Sequence, residues 1–400
     1  MSVNNDYDVI IAGGGPAGSS AAINLALHGA RVLLVEQKKF PRAKLCGEFI
    51  SPECADLFER LGVADRMFAA RPATLSETVF YSRTGKSASV PSSWFGSSHG
   101  ALGLSRAEMD ERLLRRASDA GVDVLENAHA TNLVFENEKV CGITIKYNGS
   151  EKDFRSAITI DATGRTRALA RHLNSKPNTK RDRRPPMIAF KAHLENTRVA
   201  AGACEIYFYR GGYGGLSSIE NGLSNLCFIA SAHDVRACEA DADRVVREIV
   251  RQNARANETL ATARLASPWL AVALEGFGRH EVAPVRGLLA IGDAASFIDP
   301  FTGSGMLMAL QSGELAAGAT ANYLNARPES RTLEDLAANY RAAYQRTFDS
   351  RLRICSLLRK AAFVPRLAEL AITLFAASDR LRRRLARATR GAARETYYSS

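Results

Sequence analysis

The chain has 400 residues, 46% of them apolar, enough to bury a large core in two domains or one large composite one. It contains no uninterrupted apolar run of about 18 residues, which argues against a membrane-spanning helix, and Asn4, Asn5 and Asp6 do not form the start of a secretory signal. Of the net charge of +11, about nine units fall in residues 351–400, where eleven Arg and Lys360 face Glu369, Asp379 and Glu395, so the main body is close to neutral and nucleic acid is not an expected partner.

The chain opens with an apolar strand, Asp8 to Ala12, then Gly13-Gly14-Gly15-Pro16-Ala17-Gly18, a helix from Ala17 to His28 and a strand from Arg31 to Glu36. That is a βαβ unit. Ser105-Arg106-Ala107-Glu108 reads as a capping box opening a helix over 105–120. A β meander is expected next, with strands 122–125, 130–135 and 140–147, a hairpin turn at Asn148-Gly149 and a strand 154–160 running into Asp161-Ala162-Thr163-Gly164. Beyond a polar linker at 181–186, alternating strands (188–194, 205–209, 225–231) and one helix near 240–257 read as a mainly antiparallel sheet. Helical periodicity prevails from 304 onward.

This organisation predicts three regions. Residues 1–75, 100–180 and 276–330 form a discontinuous nucleotide-binding domain, 76–99 and 181–275 a substrate-binding sheet, and 331–400 a C-terminal helical region.

Gly13 allows the tight turn, Gly15 lets the backbone approach a pyrophosphate, and Gly18 lets the helix pack on the sheet, while Pro16 and Ala17 open a helix whose N-terminus attracts phosphate. Glu36 is placed for ribose hydroxyls. This motif alone does not separate NAD from FAD. The second signature does: strand 288–291 ends in Gly292-Asp293, where the carboxylate can bond a ribityl hydroxyl, and Pro300, Gly303 and Gly305 precede an apolar helix from Met306 to Ala317. Its N-terminal dipole suits a flavin ring gaining negative charge. Taken alone, Gly292-Asp293 could equally be a strand-to-turn junction.

These residues, with Phe40-Pro41-Arg42-Ala43-Lys44-Leu45-Cys46-Gly47-Glu48, Ser105-Arg106 and Asp161-Ala162-Thr163-Gly164-Arg165, resemble the p-hydroxybenzoate-hydroxylase-like class of FAD enzymes, and within it the geranylgeranyl-reductase-like branch. The resemblance implies an α/β composite: a Rossmann-like FAD-binding domain of glutathione-reductase type with an inserted, mainly antiparallel substrate-binding sheet and C-terminal helices. It places Cys46 and Gly47 beside the flavin, and Arg106, Asp161 and Gly164 on the cofactor side. Cys46 also reads as a small buried side chain, and Arg106 as a solvated helix-start residue. The branch's Tyr-x-Trp-x-Phe-Pro segment is replaced by Gly212-Tyr213-Gly214-Gly215-Leu216-Ser217, and no halogenase motif is recognisable.

The expected function is FAD-dependent oxidation–reduction of a hydrophobic small molecule, with carbon–carbon double-bond reduction favoured over aromatic or polyketide hydroxylation. NAD(P)H or another reductant serves as transient donor, since no second dinucleotide fold is visible. A non-catalytic flavin-binding or maturation protein is the reading from another class. The seven cysteines include no Cys-x-x-Cys pair, which argues against a disulfide framework or zinc site and for a reducing, cytoplasmic setting. No metal is expected, and the seven histidines (28, 99, 129, 172, 193, 233, 280) read as surface or structural. In the C-terminal segment, apolar residues (Leu367, Leu370, Ala371, Leu374, Phe375, Leu381, Leu385, Ala388) and arginines (380, 382, 383, 384, 387, 390) fall on different helix faces between Pro365 and Gly391. Such a helix suits either peripheral contact with an anionic membrane or packing on the enzyme's own substrate sheet.

Overall fold

The computed structural model describes residues 6–95, 100–171, 173, 186–274, 277–298, 303–327, 332–362, 369, 372–373 and 375–388. Pro300, most of the 181–186 linker, His99, His172, Pro365, Leu367, Leu370, Ala371, Leu374, Arg390 and Gly391 lie outside these residues, as does the side chain of Leu385.

The parallel core runs Asp123–Leu125, Val32–Val35, Tyr7–Ala12, Ser150–Asp161 and Leu288–Ala290. Val9, Ile10, Ile11 and Val32 through Val35 are all buried, as strands covered on both faces require. Ser150–Asp161 is shared. Its second half joins the parallel core, while its first half pairs antiparallel with Lys139–Tyr147 across the Asn148-Gly149 turn, where both residues take positive φ (49° and 80°). Only the N-cap half of the expected capping box forms: Ser105 Oγ accepts from Glu108 N at 3.2 Å, while Ser105 N donates to Glu220 Oε2 at 2.9 Å and the Glu108 carboxylate pairs with Arg112.

Two expected elements differ. Residues 122–125 do not enter the meander: Asp123–Leu125 follows the helix Arg106–Asp119 and returns, as a crossover does, parallel to Val32–Val35. The single helix near 240–257 is two short ones, Ala242–Glu248 and Ala254–Thr259. The buried Asn253 separates them. Its amide donates to Tyr81, Ser82 and Phe208 carbonyls, and its side-chain oxygen accepts from Ala256 N at 3.1 Å.

The second sheet has eight strands, in the order Arg264–Leu265, Met187–Glu195, Ser224–Ser231, Gly212–Ser218, Ala203–Tyr209, Glu77–Tyr81, Ser87–Pro91, with Leu270–Leu274 also on Met187–Glu195. Only the pairing of Ala203–Tyr209 with Glu77–Tyr81 is parallel. One face, with Phe190, Tyr207, Leu216, Leu226 and Phe228, packs against the short helices of residues 232–259. The other face roofs a cavity.

Two helices, Pro16–Leu27 and Gly305–Asn325, pack through small residues, with Ser20 Oγ donating to Leu310 O at 2.9 Å. A Cβ on Gly313 would stand 2.4 Å from Ala17 O, whereas one on Gly318 in the same helix meets nothing within 4 Å. Gly313→Ala should therefore cost about 1–3 kcal/mol by overpacking, while Gly318→Ala should add about 0.5–1 kcal/mol through helix propensity. Thermal midpoints moving in opposite directions would check this; equal shifts would not fit such close packing.

Candidate functional site

A cavity of ≈ 830 Å³ lies between the parallel sheet and the roof sheet. Gly13, Gly15, Pro16, Ala17, Glu36, Arg106, Gly164, Gly292, Asp293, Gly303 and Gly305 line one part of it, with Cys46 and Gly47. Segments some 280 positions apart in the chain thus converge. Two residues stand off the wall. Gly18 packs instead, since its Cβ would lie 1.9 Å from Gly13 O. Asp161 is fully buried and organises the following turn, accepting from Thr163 N (3.0 Å), Thr163 Oγ1 (2.6 Å) and Ala170 N (3.0 Å).

Gly13 and Gly15 are glycine for different reasons. Gly13 has φ +111°, and a Cβ there would lie 2.3 Å from Ala162 O. Gly15 has φ −71°, which any residue adopts, and its Cβ would meet nothing nearer than the Arg42 and Arg106 Nη2 atoms, both at 3.9 Å. The space over Gly15 is a cradle between two guanidiniums at the N-terminus of Pro16–Leu27. Buried Asp110 holds both: Arg106 binds it through Nε and Nη2, each at 2.7 Å, and Arg42 through Nη1 at 3.0 Å. Burial alone would lower the Arg106 pKa; Asp110, and after it Cys46, outweigh that and hold it above the ordinary arginine value. Arg42 also reaches Glu36 Oε1 at 3.8 Å, so three cations, Arg42, Arg106 and Lys44, stand against the carboxylates of Asp110 and Glu36 around the cradle. With the helix dipole, this fits a diphosphate.

Glu36, read as a ribose ligand, lines the cavity and also braces the turn, accepting from Gly14 N at 2.9 Å and Lys38 N at 3.0 Å. Lys44 projects into the cavity. Desolvation, then Arg106 and Arg42, pull its ammonium below the usual lysine value. Desolvation likewise pushes Asp293 up, against the opposing charges of Arg106, Lys44 and Arg165. Asp293 has no hydrogen-bond partner among the described residues, an acceptor left open on the wall.

The loop Lys44–Glu48 is clasped from above by the roof. Lys191 Nζ donates to Lys44 O at 3.3 Å, and Asn225 Nδ2 donates to Cys46 O at 3.1 Å. Glu48 is fully buried, with φ 52°. Its Oε1 accepts from Arg106 N at 2.8 Å and pairs with Lys191 Nζ, and its Oε2 meets His193 Nε2 at 2.7 Å. Burial would raise the Glu48 carboxyl, but His193 and Lys191 hold it below the usual carboxylate range. Gly47 faces open space, with nothing within 4 Å of a Cβ.

Sequence reasoning did not single out Asp110, Lys191, His193 or Asn225. A cue was present: Lys191 and His193 continue the inward register of Met187 and Ala189 along one strand, polar residues where apolar ones would face a core. His193, one of seven histidines scattered along the sequence, belongs to this clasp.

The remaining wall is apolar and follows strand periodicity, using alternate residues such as Ala189, Ile206, Phe208, Tyr213, Ile229 and Val272. Burial keeps Cys204 and Cys227 as neutral thiols, pushing the first up to about 12 and the second higher. Gly215 also lines the roof, so the segment lacking the branch's Trp and Pro leaves room there.

Gly15→Val should fold, since its φ is ordinary, but should purify colourless; full flavin content would place the diphosphate elsewhere. Glu48→Gln leaves buried Lys191 unpaired and should cost about 3–5 kcal/mol. Because the Glu48 pKa is depressed on folding, its contribution is present above the unfolded carboxyl value of about 4.3 and is lost as pH falls through the lower folded value. Acid unfolding should therefore lose part of its pH dependence in Glu48→Gln, and an unchanged profile would remove Glu48 from the account.

The profile of the FAD binding domain family matches residues 6–349. The chain is 26% identical over 376 residues to the digeranylgeranylglycerophospholipid reductase of Methanocella arvoryzae, covering 90% of this chain and 89% of that one. It is 27% identical over 384 residues to the menaquinone reductase of Mycobacterium tuberculosis, covering 91% and 87%. The fold is similar to that of a geranylgeranyl bacteriochlorophyll reductase-like protein from Thermoplasma acidophilum, with a TM-score of 0.77, 21% identity and coverage of 93% and 92%. With a cradle that fits a diphosphate, a wall that gathers both cofactor signatures, and reductases among its full-length relatives, the chain belongs to the FAD binding domain family and is an FAD-dependent oxidoreductase.

Proposed function

We propose that this enzyme reduces a carbon–carbon double bond in an elongated apolar substrate held beneath the roof sheet. The observation that carries the reading is the roof itself: one apolar face of an eight-stranded sheet closes the same cavity that holds the Gly15 cradle and the Cys46-Gly47 loop. Such a wall excludes water and orients a chain without recognising polar groups along it. Gly15, Arg42 and Arg106 would hold the FAD diphosphate, Asp293 a ribityl hydroxyl, and Gly303 and Gly305 the end of a helix that favours negative charge on the ring. FAD, when bound, supplies hydride chemistry. Saturating the double bond would take a hydride and one further proton, and NAD(P)H or another reductant would then restore the two electrons. Cys46, on the clasped loop beside Gly47, lines the same cavity, where we place the reacting bond. The names of the two relatives, reductases of a glycerophospholipid and of menaquinone, support reduction over oxygenation.

Among the described residues, no helix is long and apolar enough to cross a membrane. Ile372 and Phe375 of the C-terminal segment pack into the roof's cavity face, while Arg380, Arg383, Arg384 and Arg387 are exposed. We read any membrane contact as electrostatic, through these arginines, rather than by apolar insertion.

Protein reduced anaerobically and mixed with geranylgeranyl lipids or menaquinone should give a saturated product without oxygen. An oxygenated product formed only in air would replace this reading with monooxygenation. Cys46→Ala should keep its flavin yet change turnover or product distribution, and wild-type kinetics would return Cys46 to a packing role. Binding to anionic vesicles should fall with salt, as screening requires; salt-independent binding would point to insertion.

A further inference from the structure

The charged residues lining the cavity cluster at its nucleotide end, with one exception. Arg382, in the helix Asp379–Ala388, lines the cavity beside Ala386 at the apolar end. This helix lies against the edge strand Ser87–Pro91 and the turn Ser92–Phe95. Arg382 Nη1 donates to Ser89 O at 3.0 Å, and its guanidinium stands 5.8 Å from the Trp94 ring centroid. Nη2 pairs with the exposed Asp379. Nε is buried and has no hydrogen-bond partner among the described residues. A buried donor without an acceptor is costly, and a charged one more so. The sheet order separates this edge from the clasped loop under Ser224–Ser231 by four strand spacings, roughly 19 Å at about 4.8 Å each.

We propose that Arg382 anchors the anionic head of an amphiphilic substrate, a phosphate or a carboxylate, while the apolar tail runs along the roof toward the Cys46-Gly47 loop. The inference rests on the apolar-substrate reading above and adds to it the head group and its site. An anion would accept from Nε and complete the guanidinium's bonding, and the distance from the loop sets how far from the head the reacting bond lies. The Trp94 ring flanks the site and Phe95 lines the cavity, while exposed Arg383 stands 5.1 Å from the Trp94 centroid.

The test is calorimetric binding to the FAD-loaded enzyme of geranylgeranyl phosphate, geranylgeraniol, oleate and oleyl alcohol, with wild type, Arg382→Gln and Arg382→Lys. Wild type should bind at least one anion about tenfold or more tighter than its alcohol, the difference expected of a charge-assisted bond. Arg382→Gln should abolish that preference with alcohol affinity unchanged, which also reports an intact cavity, and Arg382→Lys should retain most of it. Preference for the phosphate alone or the carboxylate alone identifies the head. A preference that survives in Arg382→Gln, or its absence in wild type while the alcohols bind, overturns the anchor and leaves the apolar-substrate reading standing. If none of the four binds wild type, that reading itself falls.

Discussion

A buried carboxylate holds the parts of this enzyme in register. Glu48 accepts from the first backbone N–H of the helix that carries Arg106 and pairs with Lys191 and His193 of the roof, while its own backbone continues the Cys46-Gly47 loop. Removing Glu48 or Lys191 leaves the other's charge buried without its counter-ion. The nucleotide fold, the loop and the roof therefore cannot be positioned independently. The cost of burying such a group is offset only when all its partners are present, which makes the arrangement all-or-none.

Around that clasp, the cavity divides by polarity. At one end, the N-terminus of Pro16–Leu27 and two guanidiniums sharing Asp110 face the cradle over Gly15. Toward the other, alternate residues of the roof strands present hydrocarbon and neutral thiols. The same backbone periodicity serves both, because Met187 and Ala189 face the apolar part while Lys191 and His193, further along the same strand face, grip the loop. Polarity changes along one strand, without any change of element.

Much of this was legible in the sequence where the cause is local. The Asn148-Gly149 turn, the Ser105–Glu108 cap and the fully apolar strands need only their own neighbours. The glycine turn and Gly292 were readable because positive φ at Gly13 and Gly292 and close packing at Gly18 admit few residue types. What escaped reading depends on distant partners. Asp123–Leu125 joins the strand that a crossover helix delivers it to, and Asn253 breaks a helical pattern to satisfy three sheet carbonyls. Asp161 looked like a cofactor residue but is spent on its own turn. Lys191 and His193 were hidden because their partner, Glu48, lies more than 140 positions earlier in the chain.

The most direct measurement is a crystal structure of the FAD-bound enzyme. The account predicts the diphosphate in the cradle between Gly15, Arg42 and Arg106, with the Glu48–Lys191–His193 clasp intact and the apolar face of the roof free for substrate. A diphosphate bound away from those guanidiniums, or FAD occupying the roof cavity as far as Arg382, would contradict it.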